Sequence, residues 1–298
     1  MTANSFALHR IALPTGVELD VAVAGHAGNP PIILLHGFPE SHRTWRDVIP
    51  DLARDHFVLA PDQRGFALSS KPEGVESYSA DKIVADLIAL ADHFGIDRFT
   101  LVGHDWGGAI AWMAALQHPR RIARLVILNA PHPLVFQRSL FDDMGQRAAS
   151  QYIRAFRSPA IEAHVAAIGV EAFFDTTFAK IADASKIGAE ERSTYLAQWS
   201  QPGAMTAMLN WYRASGIIVP AMDETPERPT FLDAPFPPTA MPVLVIWGMG
   251  DTALLPVQLD GLDTVVPELT IEKVEGAGHF VPWEDGPAVI AAMRRWGV

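Results

Sequence analysis

Leu101-Val102-Gly103-His104-Asp105-Trp106-Gly107-Gly108-Ala109 joins a short apolar run, Phe99 to Val102, to a helix-like segment, Ala109 to Gln117. Strand, glycine turn and helix are the context a nucleophile elbow requires. The central side chain then stands above the sheet edge, and small neighbours let backbone and helix pass closely. The usual pattern is G-x-S-x-G; here a carboxylate, Asp105, replaces the hydroxyl. A serine attacks a carbonyl and leaves as an acyl ester. An aspartate is suited instead to a polarised sp³ carbon, in an epoxide or bearing a halide, and forms an alkyl ester that activated water must hydrolyse. The plainer alternative is an Asp that only caps a helix.

Upstream of the elbow, Ile11 to Ala24 holds two β-like stretches broken by Pro14-Thr15-Gly16, a hairpin pattern. Pro31 to Leu35 and Phe57 to Ala60 are continuous apolar runs of the kind buried on both faces of a parallel sheet. Trp45 to Leu52 reads as helix, and so does Asp81 to Phe94, with Gly95 as its stop. Leu125 to Leu128 is a further strand. The rhythm then breaks. Residues 131–238 show no clear buried strand, but helix-like pieces at Arg147 to Phe156, Ile161 to Ile168, Ala189 to Trp199 and Ala204 to Tyr212. This stretch closes on Asp233-Ala234-Pro235-Phe236-Pro237-Pro238, a stiff connector. Strands resume at Pro242 to Trp247 and Leu269 to Val274, and a helix from about Gly286 to Trp296 ends the chain. The expected fold is α/β, with a mostly parallel sheet flanked by helices. Its core occupies residues 1–130 and 239–298, and residues 131–238 form an inserted helical cap. More helices of the same domain are the alternative.

Composition narrows the function classes. Among 298 residues, 49% are hydrophobic, enough for a substantial core. No apolar run approaches the roughly 18 residues of a membrane span, and Met1 to Arg10 lacks the pattern of a secretory signal. A cytoplasmic location is the expectation. With no cysteine, disulfides, zinc–thiolate sites and thiol nucleophiles are excluded. Lys and Arg number 23 against 34 Asp and Glu, and the net charge of −11 disfavours nucleic acid and anionic membranes as partners.

Asp105, Asp251 and His279 each fall just past the carboxyl end of an expected parallel strand, where catalytic groups collect in open α/β sheets. Their order, nucleophile then acid then histidine, is that of the α/β-hydrolase fold. His279 would take a proton from water, while Asp251 would hold the imidazole tautomer and stabilise its charged form. Ester hydrolysis also develops negative charge on a carboxyl oxygen of Asp105, which calls for N–H donors. The amide of Trp106 is one candidate, and that of Phe38, in His36-Gly37-Phe38-Pro39, is the other.

The segments HGFPESHRTW, DQRGFALSSKP, GHDWGG, WGMGD and GAGHFVPWE together resemble the epoxide hydrolase branch of the α/β-hydrolase family, over about Ile11 to Val298. The resemblance implies that Asp105 is the nucleophile, His279 the base, Asp251 the orienting acid, and Phe38 and Trp106 the oxyanion donors. It implies a cis Phe38–Pro39 peptide and two cap tyrosines that bind the epoxide oxygen. Tyr152, in QYIRAFRSP, and Tyr212, in NWYR, are similar to those motifs. His36, Pro39, Trp106, Tyr152 and Tyr212 are the expected pocket residues. The implied partners are a largely apolar epoxide and water, with no cofactor or metal; a homodimer is the candidate assembly. A haloalkane dehalogenase, sharing the Asp elbow, is the main alternative. Trp106 suits it, whereas Phe38 stands where that family commonly places Asn. A fluoroacetate dehalogenase is disfavoured because Trp106 and Ala109 replace its arginines. A silent ligand receptor is the third reading. Two departures from the pattern stand out: Ala67 replaces a common glycine, and Asn129 leaves no acid after the Leu125 to Leu128 strand.

Overall fold

A computed structural model of the chain describes residues 6–298. Eight strands form one sheet: β1 (Ala7–Ala12), β2 (Glu18–Ala24), β3 (Pro31–Leu35), β4 (Phe57–Pro61), β5 (Phe99–His104), β6 (Ile122–Leu128), β7 (Val243–Gly248) and β8 (Leu269–Val274). Their order is β1-β2-β4-β3-β5-β6-β7-β8. The pairings β1–β2 and β2–β4 are antiparallel, and every pairing from β4 to β8 is parallel. The apolar runs without alternation become strands buried along their length, as β4, β5 and β7 are. Because side chains alternate across a strand, Ile33, Leu101, Ile127 and Val245 pack on one face, while Ile32, Val102, Val126 and Leu244 pack on the other.

The helices of the core are α1 (Ile49–Leu52), α2 (Ala80–His93) and α3 (Trp106–Gln117). Between β6 and β7 lie α4 (Pro133–Asp142), α5 (Met144–Ala149), α6 (Gln151–Arg157), α7 (Ile161–Ile168), α8 (Val170–Phe173), α9 (Ala179–Ile181), α10 (Ala189–Trp199) and α11 (Ala204–Ala214). The chain ends with α12 (Val281–Glu284) and α13 (Gly286–Arg295). Helices α2 and α3 cover the first sheet face; α1 and α13 cover the second through Ile49, Leu52, Val289 and Met293. The helical insertion sits over the first core, and Phe174, Phe178, Tyr195 and Trp199 bury against one another inside it.

Several elements differ from the sequence reading, three of them in instructive ways. Instead of one helix over Trp45 to Leu52, a 3-10 turn, His42–Trp45, precedes the short α1. Pro50 has no amide hydrogen with which to continue a helix from Trp45 and fits the first turn of a new one. The expected helix Arg147 to Phe156 is split at Ser150, whose φ of −90° and ψ of 3° end α5 and start α6. The helix α4 is absent from the sequence reading. Pro133 sits at its first position, where proline is favoured.

Candidate active site

The carboxyl ends of β3, β5, β6, β7 and β8 deliver His36 to Phe38, Asp105, Asn129, Asp251 and His279 to one edge of the sheet. Asp105 links β5 to α3 with φ +50° and ψ −121°, a strained conformation for a residue with a side chain. Close packing enforces it. A Cβ on Gly107 would collide with the carbonyl oxygens of Leu35 and His36, and one on Gly103 with the backbone of Gly107 and Gly108. The strand–helix crossing therefore needs these glycines, and it lifts the Asp105 carboxylate above the sheet.

The Phe38 amide donates to Asp105 Oδ1 at 2.7 Å, and Phe38–Pro39 is cis. On the other oxygen, Asp105 Oδ2 lies 3.5 Å from His279 Nε2. His279 Nδ1 bonds Asp251 Oδ2 at 2.7 Å. The amides of Ala253 and Leu254 hold Asp251 Oδ1 at 2.8 and 2.9 Å. The three expected triad residues are thus in register. Of the two expected oxyanion donors, Phe38 meets the carboxylate; the Trp106 amide makes no such bond among the described residues. Burial by itself works to raise the Asp105 carboxyl, but the His279 and Phe38 bonds and the charge of nearby imidazole hold it below the usual carboxylate range. Burial likewise works to lower His279, and the charges of Asp251 and Asp105 overcome it, placing His279 well above its ordinary value.

Above this edge lies a cavity of about 420 Å³. Asp105, Tyr152, Tyr212 and Trp106 line it, together with apolar side chains from α3, α4 and α6 such as Ile110, Leu134 and Ile153. The Tyr152 and Tyr212 rings are 6.1 Å apart, and Tyr212 stands edge-on to both Phe38 and Trp106 at 5.1 and 5.0 Å. Burial, and then for Tyr212 the neighbouring Tyr152 and for both the Asp105 charge, pushes each phenol above its ordinary value. Both rings therefore keep their protons at neutral pH. His36 and Pro39, expected in the pocket, do not line it. Fully buried His36 accepts from the Gln63 amide at 3.0 Å and faces the Gly37 carbonyl, so it braces the oxyanion loop from behind. Pro39 gives its carbonyl to Trp199 Nε1 at 2.7 Å, holding the same loop from the insertion.

Other residues of the site carry no sequence signal strong enough to single them out. Asn129, with φ +37°, donates to Asp251 Oδ2 at 2.8 Å and accepts from the Gly248 amide at 2.8 Å. The missing acid after β6 is therefore an amide that orients the acid after β7. His104 Nε2 bonds the His279 carbonyl at 2.8 Å, and its Nδ1 lies 3.4 Å from buried Glu40 Oε2. Glu40 Oε1 in turn accepts from Trp283 Nε1 at 2.8 Å and the Tyr195 hydroxyl at 3.2 Å. His104 and Glu40 sit inside the elbow and HGFPE segments, which is the one hint the sequence offers.

Residues 30–286 match the family model for the alpha/beta hydrolase fold. The AB hydrolase superfamily protein YfhM of Bacillus subtilis is 36% identical over 92% of each chain. Epoxide hydrolase A of Mycobacterium tuberculosis is 32% identical over 95% of each. A solved structure described among novel epoxide hydrolases from metagenomes of hot environments superposes with a TM-score of 0.90 at 46% identity, covering 98% of this chain and 99% of that one. The chain is a hydrolase that belongs to the α/β-hydrolase family. Within that family it falls in the branch that holds the epoxide hydrolases.

Proposed function

We propose that the protein hydrolyses a largely apolar epoxide to a vicinal diol through an ester on Asp105, with the helices between β6 and β7 as the cap over the site. The observation that carries the reading is one apolar cavity into which a carboxylate and two protonated phenols converge. The phenols of Tyr152 and Tyr212 would hold the epoxide oxygen between them. Asp105 Oδ2, the oxygen on the open side of the Phe38 bond, attacks the nearer ring carbon. The C–O bond breaks, and one tyrosine gives its proton to the departing oxygen.

Esterification removes the Asp105 charge and with it part of what keeps His279 protonated, so the imidazolium proton can pass to the tyrosinate that ring opening leaves. His279 can then act as base, taking a proton from water at Nε2 while Asp251 stabilises the imidazolium. The water oxygen adds to the Asp105 carboxyl carbon, and the negative charge gathers on Oδ1, where the Phe38 amide already donates. Collapse expels the alkoxide bearing the former Oδ2, which takes the proton of the newly formed carboxyl group and leaves as the diol, restoring the Asp105 carboxylate beside the imidazolium. Trp211, whose indole could otherwise serve a halide, gives its N–H to the Arg64 carbonyl at 3.1 Å.

The test is to offer purified protein a panel of epoxides and a panel of haloalkanes in parallel, scoring diol and released halide. Diol without halide is expected. Halide without diol would assign the leaving-group site to Trp106 and overturn the roles of the tyrosines.

A further inference from the structure

Glu284 closes α12 five residues after His279 and is almost fully buried. Its carboxylate bridges two backbone amides that belong to different parts of the molecule. Oε2 accepts from Gly278 N at 2.5 Å, the residue directly before His279. Oε1 accepts from Asp183 N at 2.9 Å, in the helical insertion. Lys186 of the same insertion segment reaches the Glu284 main-chain carbonyl. Aromatic packing joins the same two regions independently. Phe178 of the insertion lies 4.6 Å, centroid to centroid, from Phe280, which stacks on Trp283 at 5.4 Å.

We propose that Glu284 is a positioning residue for His279, tying the loop of the general base to the cap through the Gly278 and Asp183 amides. This rests on the ester mechanism proposed above. The Ala277–Gly278 peptide plane, which carries the Gly278 N–H, lies directly before the residue that leads into His279 and so helps set where the imidazole points. That plane is held at both ends: the Ala277 carbonyl accepts from Gly250 N at 2.9 Å, and the Gly278 N–H, at the end nearer His279, is held by Glu284. Two amide hydrogens on one buried carboxylate are charge-assisted bonds, stronger than neutral ones, and leave the loop few alternative orientations. His279 transfers a proton to or from water only in the second chemical step, so loss of the bridge should slow ester hydrolysis more than alkylation. A displacement of about 1 Å in a reacting group costs on the order of a hundredfold, and a partial one about tenfold.

The experiment measures both steps in single turnovers of styrene oxide, with rapid acid quench and mass analysis of the protein. Glu284→Gln leaves one acceptor for two amides. Its ester hydrolysis should fall about tenfold with alkylation changed less than about threefold, so that more ester accumulates during the turnover. A second pair of variants acts from the cap. Asp183 has φ −72° and follows Ala182 in an extended conformation, so proline fits there and deletes the bridging N–H together with the Asp183 side chain. Asp183→Ala removes the same side chain but keeps that N–H. Slower hydrolysis in Asp183→Pro than in Asp183→Ala supports the bridge. Equal hydrolysis in those two, or equal slowing of both steps in Glu284→Gln, overturns it. Wild type and His279→Gln run alongside: an absence of ester in both would reject the underlying mechanism, whatever the Glu284 variants do.

Discussion

Asp105 is charged, strained and covered, and each property has a separate source. The glycine-lined crossing imposes φ +50°, while the Phe38 amide and His279 keep the carboxyl ionised against the cost of burial. On the proposed pathway the tyrosines matter for ring opening only. Tyr152→Phe with Tyr212→Phe should lower the alkylation rate at least about a hundredfold, measured by rapid-quench kinetics, while leaving the hydrolysis of ester already formed. Retention of fast ring opening would contradict their role. His279 also links the site to stability. Its folded pKa is raised, so its contribution is fully present below the unfolded value of about 6.5 and is lost as pH climbs through the raised value. Urea unfolding across pH should show wild type losing stability relative to His279→Gln as pH climbs from about 6.5 toward that raised value; parallel profiles would contradict the pairing.

Among the elements, the loop after β4 presents the clearest local strain. Ala67 holds φ +45°, in the left-handed region that favours glycine. Ala67→Gly should stabilise the fold by up to about 1 kcal/mol, because relief of backbone strain exceeds the entropy glycine adds to the unfolded chain. Urea denaturation checks this, and a loss of stability would show that burial of the methyl group matters more. The same elements mark what could be read from the sequence. Strands β3 to β7 are legible because burial on both faces leaves uninterrupted apolar runs, and Asp105 and Asp251 are legible because they follow such runs; His279 follows β8, which is mostly exposed or half-buried, and is legible from its place after the last strand. Asn129 reads only as a missing acid, since its amide acquires meaning from Gly248 and Asp251, more than a hundred residues away. The split between α5 and α6 turns on backbone angles at Ser150 that no periodicity encodes. His36 and Pro39 sit in the right motif, but neither lines the cavity; His36 bonds Gln63 and Gly37, and Pro39 gives its carbonyl to Trp199.

On the scale of the molecule, the helical insertion is fastened to the loops that carry the site by buried polar groups. Gln146 is the most fully committed. It accepts from Leu255 N at 2.8 Å and Gln258 Nε2 at 3.0 Å, and donates to Ser150 Oγ and the Ala253 carbonyl, both at 2.9 Å. It thereby joins the start of the Tyr152 helix to the loop that follows Asp251. Gln146→Leu leaves those partners buried without their bonds and should cost about 2–3 kcal/mol, read from urea denaturation; a neutral effect would mean the insertion is held by apolar packing alone. Whether the assembled site works through Asp105 is best tested with one turnover of wild type, enzyme in excess over styrene oxide, in water enriched in the heavy oxygen isotope. The account predicts that the label enters the Asp105 side chain, found by peptide mass analysis, while the first diol carries the ordinary oxygen of Oδ2. Label appearing directly in that diol, with Asp105 unlabelled, would mean that water attacks the epoxide itself and that no ester forms.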